Sequence, residues 1–105
     1  MKPEIRLSLR AAKKLDLLLV YLENEWSAKA KNDFIRKLEK SFKQIQLHPH
    51  SFPVSEKVKG LRKCVVTKQT TVYYKYSDTV IHIITLFDNR QNPDQIEIVN
   101  HPGPR

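Results

Sequence analysis

The chain has 105 residues and a single cysteine, Cys64, so its length permits one hydrophobic core and no internal disulfide. Nineteen Lys and Arg against eleven Asp and Glu give a formal charge of +8, a balance that favours anionic partners. No run of about 18 apolar residues exists and the opening MKPEIRLSLR lacks the apolar centre of a secretory signal, so the expectation is a reduced cytoplasmic protein without a membrane segment.

Ile5, Leu7 and Leu9 alternate with Arg6 and Ser8, which predicts a short first strand, with Pro3 tolerated near its start on a sheet edge. Ser8 is then a candidate helix cap. Ala11, Leu15, Leu18 and Leu22 recur at helical spacing with Arg10, Lys13, Lys14 and Asp16 between them, predicting an amphipathic helix to about Glu25. Trp26 is expected to pack at the junction with a second helix, capped by Ser27 and carrying the stripe Phe34 or Ile35, Leu38, Phe42 and Ile45. That helix must stop near Leu47-His48-Pro49, because the residue before a proline is pushed out of the helical region. His48 and His50 flank the proline, but no further Cys, His or carboxylate completes a ligand set nearby, so neither metal nor cofactor is expected.

A loop over Ser51 to Gly60 tucks Phe52 toward the core and leads into Leu61 to Pro93. Turn signals at Thr67-Lys68-Gln69-Thr70 and Ser77-Asp78-Thr79 cut that stretch into three runs rich in Val, Ile, Tyr and Thr, which predicts an antiparallel β-meander. The last run is apolar on both faces, as a central strand requires. Cys64 reads as a buried thiol and His82 as a sheet histidine, and Pro93-Asp94-Gln95-Ile96 as the start of a helical turn. A lone meander has no second layer, so both helices should cover one of its faces: an α+β fold, β-α-α-β-β-β, as one domain over residues 1–98 with a flexible tail over 99–105.

The charge is placed unevenly. Twelve basic residues against three acidic ones lie between Ala28 and Lys75, a balance of +9, so the middle of the chain carries the positive field. Such a surface suits phosphates or an acidic protein.

With that element order, Glu4-Ile5-Arg6-Leu7-Ser8 followed by Ala11-Ala12, then Gly60-Leu61-Arg62-Lys63 and Thr85-Leu86-Phe87-Asp88-Asn89-Arg90-Gln91-Asn92-Pro93, the chain resembles the RelE/ParE superfamily of type II toxin–antitoxin toxins, in the branch often labelled plasmid stabilisation proteins. The resemblance implies a toxin neutralised by a cognate acidic antitoxin. It implies one of two actions: metal-independent cleavage of messenger RNA on the ribosome by attack of a ribose 2'-hydroxyl, or poisoning of DNA gyrase without bond-making chemistry. The first is expected here, with gyrase inhibition or plain nucleic-acid binding as alternatives. Cleavage needs cations for the phosphorane charge, and the resemblance assigns these to Arg62 and Arg90, converging at the sheet edge. Lys57, Lys59, Lys63 and Lys68 are expected to hold the RNA backbone, and Tyr74 to stack on a base. A family His or Tyr acting as acid after the last strand has no counterpart before His101.

Overall fold

The computed structural model describes residues 2–90. Its elements are β1 (Glu4–Leu7), α1 (Leu9–Glu25), α2 (Ala28–Leu47), β2 (Arg62–Val65), β3 (Thr70–Tyr76) and β4 (Val80–Asp88). The Pro93 helical turn, the tail over 99–105 and His101 lie outside the described residues.

The four strands form one mixed sheet in the order β1-β4-β3-β2. β4 is central as its apolar pattern required, paired antiparallel with β3 and parallel with β1. The parallel pairing follows from the two helices between β1 and the meander, which return the chain to the same end of the sheet. A bulge on β4 sets Tyr73 opposite Thr85 but Tyr74 opposite Ile83, leaving Ile84 as the extra residue; the two tyrosines are both buried, on opposite faces of the sheet.

Both helices lie over one face. Ala11, Leu18 and Leu22 of α1 and Phe34, Leu38 and Ile45 of α2 meet Val72, Tyr74, Ile81, Ile83 and Leu86 in a single core, with Phe42 and Leu15 half-buried at its margin. Ser27 caps α2 by accepting from the Ala30 amide, and Lys31 of α2 reaches back to Glu23 of α1 at 2.9 Å. Trp26 departs from expectation: it stands in the two-residue break between Glu25 and Ala28 and is 61% exposed. Leu9 also departs, since the strand ends at Leu7 and Leu9 opens α1 facing solvent. Among the described residues no helix is long and apolar enough to cross a membrane.

Ser8 joins sheet to helix. Its Oγ accepts from the Ala11 amide at 2.9 Å and donates to the Ile84 carbonyl at 2.7 Å, while the Lys14 ammonium donates to the Leu86 carbonyl at 3.3 Å. β1 stops before these carbonyls, so α1 satisfies the stretch of β4 edge that β1 leaves bare. Ser8→Ala removes a cap and strands a part-buried carbonyl, and a loss of about 1–2 kcal/mol is expected in urea denaturation, above the usual cost of a cap alone. A change below about 0.5 kcal/mol would mean that water replaces both bonds.

Candidate functional site

Residues paired across a sheet share a face, so the register sorts the candidate side chains without further argument. Lys63, Tyr73 and Thr85 form one row on the face that the helices leave open; Lys75, His82 and Arg6 form another. Arg62, Tyr74 and Ile83 form a row on the helix side, as do Cys64, Val72 and Leu86.

On the open face a cleft of about 320 Å³ is lined by Ser55, Lys57, Lys63, Thr71 and Tyr73, with Glu56 at its edge. The loop that supplies Lys57 is held by Ser55, which is buried: its amide donates to the Leu61 carbonyl at 2.7 Å, and its Oγ accepts from the amides of Lys57 at 3.1 Å and Val58 at 2.9 Å. Gly60, at φ 85°, makes the turn back into β2 in a region that a side chain would strain. Lys57 and Lys63 therefore meet on one surface, while Lys59 does not line that cleft and Lys68 sits in the β2–β3 turn.

Arg62 does not point there. Its Nη1 donates to the carbonyls of Phe52 at 2.6 Å and His50 at 3.2 Å, and its guanidinium lies 5.7 Å from the centroid of Tyr76. It braces the loop that follows α2. Tyr74 braces the same loop by donating to the Pro49 carbonyl at 2.7 Å; it is fully buried, its phenol is pushed up to about 12 by burial, and its ring meets Phe52 edge-on. The expectation that Tyr74 stacks on a base is thus corrected, because alternation along β3 puts it on the face of Val72, which the helices cover.

Arg90 lies just past the far end of β4. It forms a fork with Asp88, Nε at 3.2 Å to Oδ1 and Nη2 at 2.8 Å to Oδ2, and the Arg90 amide donates to Oδ1 at 2.9 Å. The Thr70 hydroxyl, opposite Asp88 in the ladder, donates to Oδ2. The Asp88 side chain has no solvent exposure. Burial pushes its carboxyl upward, but the bonds from Arg90 and Thr70 and the guanidinium charge outweigh that and hold it below the usual carboxylate range. Tyr21 of α1 fixes the Arg90 carbonyl at 3.2 Å, and the Asn89 amide donates to the Gln69 carbonyl at 3.0 Å.

The two arginines do not converge. Arg62 stands in the row of Ile83 and Arg90 two residues past Asp88, so a rise of about 3.3 Å per residue puts them on the order of 20 Å apart along the strand direction. Sequence reasoning missed Thr70 and Ser55, whose partners are set by register and by loop closure; Asp88 carried a signal in its spacing of two from Arg90.

A family model described as the ParE toxin of the type II toxin–antitoxin system, parDE, matches residues 5–93. No curated protein matches at the level of sequence. Among solved structures, the chain is similar to one of the chromosomal ParDE toxin–antitoxin system from P. aeruginosa, with TM-score 0.68 and 14% identity over 83% of this chain and 96% of that one. It is also similar to YafQ from E. coli, with TM-score 0.56 and 14% identity over 85% and 96% of the two chains. The E. coli DinJ-YafQ toxin–antitoxin complex gives TM-score 0.55 and 15% identity over 86% and 96%. At these identities the likeness is one of fold.

Proposed function

The chain belongs to the ParE toxin family of type II toxin–antitoxin systems, and from that premise we propose that it inhibits DNA gyrase by binding it rather than by cutting RNA. The separation of Arg62 from Arg90 carries this reading. Cleavage by a 2'-hydroxyl needs cations held together around one phosphorus, within hydrogen-bond reach of the oxygens that gain charge. Arg62 instead spends its donors on the backbone of its own loop, and the charge of Arg90 is compensated by Asp88. A domain of this kind acts through its surfaces. Gyrase as target places the action in the cytoplasm. An acidic antitoxin is the proposed neutralising partner, supported by the charge of +8 and by the toxin–antitoxin assemblies among the similar structures.

RNA cleavage is the second reading, favoured by the meeting of Lys57 and Lys63 beside Tyr73 on the open face. Lys57 and Lys63 would hold the RNA backbone there, with Lys59 and Lys68 reaching it from outside the cleft, and Arg62 and Arg90 would have to leave their present partners to reach the ribosome-bound messenger.

The two readings separate in one experiment. Purified toxin without antitoxin is added to a gyrase supercoiling assay and to translating ribosomes charged with messenger. Loss of supercoiling with intact messenger is the expected result. Messenger cut during translation, with supercoiling untouched and cleavage lost in Lys63→Ala, would replace the gyrase reading by a nuclease centred on the open-face cleft.

A further inference from the structure

α2 turns a face of one chemistry to solvent. Every exposed residue from Lys29 to Gln44 is polar, and most of them are cations: Lys29, Arg36, Lys37, Lys40 and Lys43. The beginning of the helix is electrically balanced. Asp33 pairs with Lys29 at 2.7 Å and also with Arg36, and Lys31 reaches Glu23 of α1. These are the ion pairs of α2 among the described residues. Lys37, Lys40 and Lys43 make none with a described residue, although Glu39 stands one turn before Lys43.

Folding does not account for this row. Arg36 and Lys40, Lys37 and Lys40, and Lys40 and Lys43 are like charges three or four residues apart, an arrangement that works against a helix. The helix dipole favours cations only in the last turn, and the last turn of α2 holds none. At about 1.5 Å of rise per residue, Arg36 to Lys43 spans about 10 Å. Each strand of a DNA duplex presents a phosphate about every 3.4 Å along its axis, so that length of helix meets about three.

We infer that the outward face of α2 between Arg36 and Lys43 docks along the phosphate backbone of double-stranded DNA, without regard to sequence. The inference goes beyond the gyrase reading and does not rest on it. The cations replace the counterions that the phosphates otherwise hold, which positions the protein on the duplex without reading a base. An acidic protein fits this face less well, because a stable protein interface needs an apolar or aromatic anchor and no exposed residue from Lys29 to Gln44 is one. A single strand fits less well too, since its bases need an aromatic platform to stack on. A second copy would set the same lysines against each other. The helices lie on the other side of the sheet from Lys57 and Lys63, so the two basic surfaces can be separated by mutation.

The test follows the fluorescence anisotropy of a short labelled DNA duplex of arbitrary sequence, titrated with the full chain at several salt concentrations. Log affinity should fall against log salt with a slope of about −3, at about 0.9 per phosphate contacted. Lys40→Glu with Lys43→Glu, both at exposed positions, should weaken binding roughly tenfold or more and reduce the slope by about two. Lys13→Glu with Lys75→Glu makes the same change of charge at exposed positions on α1 and on the open face. At physiological salt, where charges more than about 8 Å away are screened, that variant should stay within about twofold of the wild type. Urea denaturation confirms that both variants are folded. No binding at low salt, a flat salt response, or equal losses in the two double variants overturns the inference. So does displacement of the duplex by polyglutamate of equal charge, which would assign the face to an acidic protein, or tighter binding of RNA, single-stranded or duplex, through the same lysines.

Discussion

Asp88→Ala will cost the fold about 3–5 kcal/mol, the range seen when one partner of a buried ion pair is removed and the other is left without compensation. The Asp88 side chain is fully enclosed and accepts from the Arg90 guanidinium, the Arg90 amide and the Thr70 hydroxyl. Its loss releases the β4 exit together with the β2–β3 turn that Gln69 anchors to it. Because the folded carboxyl titrates below its unfolded value near 3.9, its contribution is complete above that value and disappears as pH falls through the lower folded one. Urea denaturation of the wild type should thus show stability falling with acidity below about pH 4. Asp88→Asn should be less stable at neutral pH and lack the part of that slope that Asp88 supplies. A penalty below about 1 kcal/mol for Asp88→Ala would show that the ion pair is no more than a surface contact.

Leu18→Ala is the second large effect, about 2–5 kcal/mol from a cavity at the centre of the interface between α1 and the sheet. Leu18 has no solvent exposure and belongs to the core that Ile81, Ile83 and Leu86 share. Its neighbour Leu17 is 59% exposed, so Leu17→Ala should stay within about 0.5 kcal/mol. The pair tests the rotational phase of the helix and not merely its existence. Equal losses at both positions would require a partner layer over the outer face of α1.

The candidate site was legible only in part. Lys57 and Lys63 could be named from the basic run that leads into the meander, and they share the open-face cleft. Arg62 is only one residue from Lys63, yet lies on the opposite face, and an alternation of period two turns that single step into a different function. Tyr74 looked available beside Tyr73 and Tyr76, but it alternates onto the face of Val72, and which face of the sheet the helices cover is decided only by packing. Trp26 looked buried by its chemistry but stands exposed in the break between the helices.

By itself the sequence determined what depends on neighbours along the chain: the caps at Ser8 and Ser27, the helix stop before Pro49, the apolar faces of α1 and α2, and the centrality of the doubly apolar β4. These are local because a cap or a stripe is satisfied within about one turn. The tertiary structure alone decided what depends on register: the parallel pairing of β1 with β4, the Thr70–Asp88–Arg90 cluster, and the parting of the two arginines. Those contacts join residues far apart in the chain, and a one-residue slip in any strand would replace each of them by another, so only the packed core that forbids the slip can select them.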